Sequence, residues 1–317
     1  MFEKVSKLFF KYFPPPEFLE VPFAGIDIND DGVHCIQYSY GKFGLKVDKY
    51  GSRDLPEGVV EAGYIKDEKA LTDVIAGLVK QLGIHSVRAS LPEEKMYLFK
   101  TQVPTSRQNE IYQNVEFKIE ENVPLAAADA IFYYDVIPST GSGHLSVSVS
   151  VAPRKVVETY LRVLTDAGVT VLSFEMEARS LAHALIRPNS SHTHLIIHLM
   201  KKKASLYVIY QGIVSFTATA VFTSVGEDAV SSVRDEALKI QAYWLEYGEG
   251  KKQIDHLIIC GEKKMSDAVS SAVVEVLGIK SENANIWSNA FNTDLYQPPI
   301  SFDESLAYSV AAGLAIK

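Results

Sequence analysis

Residues 25–36 read GIDINDDGVHCI, a buried strand, a tight turn and a second strand. A strand ending in Gly-x-Asp before a hairpin is where several nucleotide-binding folds place a phosphate. Such turns use small residues, because backbone N–H groups must approach the phosphate closely. Here Asp30 and Asp31 occupy the turn. Two carboxylates beside a triphosphate repel it unless a metal neutralises them. Asp and Gly also suit a plain solvated hairpin turn.

Other residues raise further chemistries. Lys201, Lys202 and Lys203 follow a strand and form either a solvated hairpin or an attraction for phosphate. His192, His194 and His198 could share one strand face, as metal-binding His-x-His does. The reading adopted is a polar strand entrance plus one core histidine, with no metal and no catalytic residue. Gly-x-Ser-x-Gly, Cys-x-x-Cys, Walker A and Rossmann patterns are absent from the sequence, so phosphorylation, proteolysis and redox chemistry have no sequence support. Cys35 and Cys260 fall in apolar strands and read as reduced core residues.

The elements that must position these groups follow from periodicity. Strands are expected at 22–28, 33–39 and 44–50, a helix at 68–82 carrying Leu71, Ile75, Leu78 and Leu82, and a strand at 86–91. The order recurs with strands at 194–199, 204–210 and 213–222, a helix at 227–247 and a strand at 255–260. A helix over 263–277 follows it. Three strands, a helix and a strand thus occur twice, as in a duplicated domain and not a solenoid. Between the copies lies a block near 95–168. It contains a strand at 96–101, a helix from Pro104-Thr105-Ser106 to Asn122, strands at 130–137 and 145–152 joined by the turn 139–143, and a helix from Pro153 to Gly168.

Composition narrows the partners. The 317-residue chain has a net charge of -8, and no basic field is available for a nucleic-acid backbone. No apolar run reaches the ~18 residues of a membrane-spanning helix. Residues 1–13 do carry Phe2, Val5, Phe9 and Phe13 on one helical face and Lys4, Lys7 and Lys11 on another, before Pro14-Pro15-Pro16. Such a segment either contacts an anionic membrane surface or packs on its own domain.

Three stretches carry a family likeness: VEFKIEENVPLAAADAIFYYDVI, VSVAPRKVVETYLRVLTDAGVTVLSFEMEARSLAHAL and the closing SLAYSVAAGLAIK. With GIDI, the inserted block and the repeated unit, they resemble the actin-like ATPase superfamily. The bacterial branch resembled is that of the PilM-like type IV pilus assembly proteins, relatives of FtsA. The likeness spans about residues 22–317 and rests on many weak matches. It implies an α/β fold of duplicated actin-like (ribonuclease H-like) βββαβα units with a small α+β insertion in the first unit. Implied divisions are 21–94 with 169–190 and 302–317, the insertion 95–168, a second lobe 191–301, and the amphipathic segment 1–20.

The resemblance also implies a Mg²⁺-ATP cleft between the repeats, where Asp27, Asn29, Asp30, Lys201, Lys203 and Gly261 would lie. Asp27 keeps the family's first Asp, and Glu175 and Glu177 match acidic positions on a linking strand. Asn29 replaces a glycine, the family's second Asp-x-Gly falls on His198-Leu199-Met200, and the late Gly-Gly turn is Cys260-Gly261-Glu262. Three losses around one ligand argue that Mg²⁺-ATP hydrolysis is abandoned or badly weakened. Acidic and basic loops pairing across the cleft would replace it. The expected role is a cytoplasmic adaptor, peripheral to the inner membrane, in pilus or related secretion machinery. The implied partner is the short cytoplasmic N-terminal peptide of a PilN-like membrane protein. Its groove would lie near 112–135, with Tyr112, Phe117, Phe132, Tyr133 and Tyr134 as aromatic candidates. Alternatives are a slow Mg²⁺-ATP hydrolase controlling assembly, and an FtsA-like or GspL-like component; the latter is disfavoured because no C-terminal membrane helix follows. Self-association stays open.

Overall fold

The computed structural model describes residues 21–41, 44–104, 108–137, 144–248 and 253–316. The segment 1–20, the turn 139–143 and the helix start at 105–106 lie outside them. Strand β1 (Ala24–Ile28) is buried at every position and pairs antiparallel with β2 (Gly32–Gly41), which pairs with β3 (Gly44–Asp54). A short hairpin follows, β4 (Val60–Glu61) with β5 (Tyr64–Ile65). Helix α1 (Glu68–Leu82) starts where the Asp67 side chain accepts the Ala70 N–H, and it stops at Gly83, whose φ of 61° suits a residue without Cβ. Strand β6 (Ser86–Leu91) then runs parallel to β1.

The inserted block supplies β7 (Tyr97–Pro104), α2 (Gln108–Asn122), β8 (Ala130–Ile137), β9 (His144–Pro153) and α3 (Arg154–Asp166). Its three strands form a separate antiparallel sheet in the order β7-β9-β8. Val147, Val149 and Val151 point one way from β9, onto the core with Ile111, Val115 and Ile119 of α2. The intervening Ser148 points the other way and donates to the Val214 carbonyl at 3.0 Å. The chain returns through β10 (Thr170–Met176), parallel to β6, into α4 (Glu177–Leu185).

Strands β11 (Thr193–Leu199), β12 (Lys203–Tyr210) and β13 (Ile213–Val221) repeat the first meander. Then come α5 (Glu227–Tyr247), β14 (His256–Gly261), α6 (Ser266–Leu277), β15 (Lys280–Asn283), α7 (Phe302–Ser305) and α8 (Ser309–Ala315). The two large sheets are ordered β10-β6-β1-β2-β3 and β13-β12-β11-β14-β15. Read from its outermost meander strand inward, each has the same sequence of antiparallel and parallel neighbours. The fold is therefore duplicated. Helices α1 and α3 cover the outer face of the first sheet, and α5 and α6 that of the second, with Val233, Ala237, Ile240 and Trp244 inward.

Helices α4 and α8 fill the space between the sheets, in one core with Ile36, Ile196, Tyr207 and Trp287. They approach closely because glycine permits it. A Cβ at Gly313 would lie 1.8 Å from the Ser180 carbonyl oxygen, and one at Gly25 would lie 1.9 Å from that of Ala311. Backbone is met on both sides, so neither can yield cheaply. Gly313→Ala is expected to cost about 3 kcal/mol, the upper end of overpacking. Urea unfolding that leaves the midpoint within error of the wild type would refute this packing.

Candidate functional site

The C-terminal ends of β1 and β11 bring two hairpin turns together, residues 29–31 and 200–202. Asp27 closes β1 and is 2% exposed. Its Oδ1 accepts the Ser90 hydroxyl at 2.7 Å and its Oδ2 accepts the Asn29 amide at 3.0 Å. The Asn29 Oδ1 in turn accepts the N–H groups of Asp31 at 2.9 Å and Gly32 at 3.1 Å. Asn29 thus consumes backbone donors that a phosphate would need, as Asx turns do.

Across the cleft, the Asp31 carboxylate accepts the Lys201 N–H at 2.8 Å. A side-chain anion of one repeat therefore occupies the second hairpin's donor. Asp30 takes the Lys203 ammonium at 2.9 Å and also the N–H groups of Ala62 at 3.0 Å and Gly63 at 3.2 Å. Lys203 also pairs with Glu94. Burial pulls Lys203 down, but Glu94 and then Asp30 more than offset this and hold it above the ordinary lysine value. Lys202 pairs with Glu57, and Lys201 Nζ lies 3.5 Å from Asp54. Both pairs are solvent-exposed and contribute little.

A second network lies beneath the turns. His198 Nδ1 and the Tyr207 hydroxyl, at 2.7 Å, both reach Glu177 Oε1. Burial opposes the charge on His198, yet the Glu177 carboxylate, with Asp27 adding to it, raises its pKa. Glu177 is lowered against its own burial by the His198 charge and the hydrogen bonds from His198 and Tyr207. Burial, then Glu177, pushes Asp27 up to about 6. Glu93 is pushed up to about 8 in the same order of causes, which leaves it neutral at pH 7. The imidazolium of His198 hence supplies positive charge between Asp27 and Glu177.

Gly261, at φ 88°, lies against this network, and a Cβ there would be 2.1 Å from the Leu199 carbonyl oxygen. The space behind the turns, lined by Asn29, Asp31, His34, His198, Gly261 and Glu262 among others, measures ≈ 160 Å³. Small-molecule sites usually offer about 300 Å³ or more. A second space of ≈ 360 Å³ opens beside Asp30, Asp31 and Lys201–Lys203, so it is the occupied donors and resident carboxylates, not the room, that do not fit Mg²⁺-ATP.

Asp27, Asn29, Asp30, Lys201, Lys203 and Gly261 thus converge from β1, β11, β12 and β14. Lys203 is engaged in largely buried ion pairs, whereas Lys201 and Lys202 form a solvated turn whose ion pairs are exposed. Glu177, matched above to a strand, is the first residue of α4, and Glu175 points elsewhere, to Arg179 at 3.1 Å. Sequence reading missed Glu94, Glu93, Ser90 and Tyr207. Glu93 and Glu94 follow Pro92 in a polar run with no sign of burial, and their partners are remote in the chain. His192, His194 and His198 do not converge. Four residues of strand separate His194 from His198 by about 13 Å, and His192 precedes β11.

The aromatic candidates divide between two faces of the insertion sheet. Tyr112 stacks on Phe132 at 4.5 Å, and Phe132 and Tyr134 pack with the α2 core. Phe117 is 77% exposed on α2. Tyr133 points the opposite way, beneath the Arg179 guanidinium at 4.3 Å. Among described residues β8 pairs only with β9, and β10 only with β6, so each lies at the edge of its sheet. Arg179 joins these two edges, reaching Glu175 of β10 and Asp135 of β8, the latter at 3.7 Å. Ile131 and Tyr133 of β8 and Leu172 of β10 are exposed.

The family model of the type IV pilus assembly protein PilM matches residues 25–224. In structure, the chain is similar to the PilM-PilN type IV pilus biogenesis complex, with TM-score 0.77 and 16% identity, covering 95% of this chain and 98% of that one. It is also similar to the cytoplasmic domain of EpsL, an inner membrane component of the type II secretion system of Vibrio cholerae, with TM-score 0.51 and 13% identity over 91% and 94% of the chains. A third similar structure is the ethanolamine utilization protein EutJ from Carboxydothermus hydrogenoformans, with TM-score 0.53 and 12% identity over 96% and 90%. No curated protein matches the chain by sequence. The fold is the duplicated actin-like one expected.

Proposed function

The chain belongs to the type IV pilus assembly protein PilM family, and from that premise we propose that it is an adaptor for the N-terminal peptide of a PilN-like inner-membrane protein. The carrying observation is the pair of sheet edges, β8 and β10, bridged by Arg179 beside exposed Ile131 and Tyr133. An extended peptide can add main-chain hydrogen bonds to such an edge, with side chains setting specificity. The similarity to a PilM-PilN complex supports the same partner class. On this reading, 95–168 is the partner-facing insertion in a lobe formed by 21–94, 169–190 and 302–317, and 191–301 is the second lobe.

The cleft works as a closed clasp and not as a nucleotide site. The Asp30–Lys203–Glu94 pairs and the Asp31–Lys201 N–H bond hold the two repeats where Mg²⁺-ATP would otherwise bridge them. Among the described residues no helix is long and apolar enough to cross a membrane. Attachment to the cytoplasmic face of the inner membrane would come through the partner, aided by residues 1–13.

Fluorescence anisotropy with a labelled peptide from the partner's N-terminus tests the adaptor reading. Tyr133→Ala and Ile131→Asp are each expected to weaken binding at least tenfold, with Tyr247→Ala as a neutral control. Unchanged affinity in both groove variants, with the fold intact by circular dichroism, would refute the groove.

A further inference from the structure

A pocket of ≈ 270 Å³ lies at the C-terminal end of β2, the end of the first sheet opposite the clasp. The β2–β3 register slips between Gln37 and Tyr38, and Asp48 is the extra residue on β3. Such a bulge bends the strand and re-aims its side chains. Asp48 Oδ2 here accepts the Gln37 amide at 3.0 Å. Tyr38, Leu45 and Ala315 line the pocket from the core between the sheets, and Val21, Pro22 and Phe23 line it from the chain entering β1.

Two features call for an occupant. Tyr38 and Ser39 both line the pocket, and their hydroxyls are buried without a hydrogen-bond partner. Buried hydroxyls are normally paired, because each gives up water on folding. At the rim, Val21 and Tyr40 are 62% and 51% exposed, so apolar surface stands open beside the two unpaired groups.

The chain itself supplies a matching occupant. Val21 is the first described residue and lines the pocket, so the residues before it start at the pocket's mouth. Phe18 and Leu19 precede Val21 closely. At no more than ~3.6 Å per residue, their Cα atoms stay within about 11 Å and about 7 Å of that of Val21. Groups tethered at such range act at an effective concentration on the order of millimolar, which an unlinked apolar partner must exceed. Glu17 and Glu20 flank the pair and can stay in water while the apolar side chains turn inward.

We infer that this pocket is the docking site of Phe18 and Leu19, with backbone carbonyls of residues 17–20 accepting the Tyr38 and Ser39 hydroxyls. Docking there fixes where residues 1–13, beyond the stiff Pro14-Pro15-Pro16 spacer, leave the body of the protein.

Acrylamide quenching of full-length Phe18→Trp and, separately, Leu19→Trp tests the docking. Synthetic peptides of residues 1–20 with the same substitutions serve as free references. Trp244 and Trp287 are each 1% exposed and give a constant background. The introduced indole should be quenched about fivefold more slowly in at least one full-length variant than in its peptide, at every protein concentration. Adding Leu45→Glu, which sets a carboxylate in the pocket, should restore peptide-like quenching. Tyr40→Glu, at the exposed rim, should restore it in part, and it keeps the test decisive if Leu45→Glu fails to fold by circular dichroism. Peptide-like quenching in both indole variants, or protection that the pocket substitutions leave unchanged, would overturn the docking. Protection lost on dilution would overturn it too, by assigning the pocket to a second copy of the chain.

Discussion

Replacing His198 by alanine is expected to destabilise the protein by about 3–5 kcal/mol, the cost of leaving a buried charge without its partner. The side chains of His198 and Glu177 are only 5% and 7% exposed. Removing the imidazolium leaves Glu177 facing Asp27, with Tyr207 as its remaining hydrogen-bond donor. The loss should also carry a pH signature. The folded pKa of His198 is raised above its ordinary 6.5, so its contribution is complete below that value and fades as pH rises through the folded pKa. The folded pKa of Glu177 is lowered below its ordinary 4.5, so its contribution is complete above that value and fades as pH falls through the folded pKa. The gap between wild type and variant should therefore be widest between pH 4.5 and 6.5 and narrow on both sides. Urea unfolding across pH 4–9 measures it. A loss below about 1 kcal/mol throughout, or one independent of pH, would contradict a charged pair in the cleft.

Glu93→Gln should act in the opposite direction and stabilise the protein at neutral pH. Burial, then the Glu177 carboxylate, raises Glu93 from 4.5 to about 8. Between those values the native protein holds a proton that the unfolded chain has released, so stability falls as pH rises. At about 1.4 kcal/mol per pH unit, the accumulated cost at pH 7 is about 3 kcal/mol. Glutamine keeps the shape and cannot titrate, so the variant should match wild type near pH 4.5 and exceed it by about that amount at pH 7. Asp27 is raised to about 6, chiefly by burial. It adds a slope of the same sign to both proteins and cancels to first order in the comparison. A gap that does not widen with pH would show Glu93 to be ionised in the folded state.

These two residues show how unevenly the site could be read from the chain. His198 lies in an apolar strand, at the position where the family resemblance expects an Asp. Its place was legible, but its ion pair with a residue 21 positions earlier was not. Glu93 and Glu94 are part of a short polar run, which periodicity marks as solvated. Glu93 is covered by Ala178 of α4 and Thr217 of β13, and Lys203 pairs with Glu94 across 109 residues of chain. His256 meets His194 only through the β11–β14 register, a contact that no spacing along the chain shows.

Elements with strong local patterns were legible in full. Helix α1 (68–82), helix α5 (227–247), strand β6 (86–91) and strand β8 (130–137) have the expected bounds. Strand β15, KSEN, is polar and exposed at all four positions and had no pattern to read. The expected helix over 263–277 instead begins as a short 3₁₀ turn over Lys263–Met265 before α6. The strand expected to carry Glu177 ends at Met176, and Glu177 opens the helix that separates the two sheets.

Alternation, helical spacing and turn chemistry act over a few residues, so the chain alone determined the duplicated order of elements, the acidic and basic turns, and the family resemblance. Which carboxylate meets which cation was decided only when the two sheets closed on α4 and α8. Coulomb pairing and burial depend on distances that packing sets between residues up to 173 positions apart, as for Lys203 and Asp30, and no local pattern encodes them.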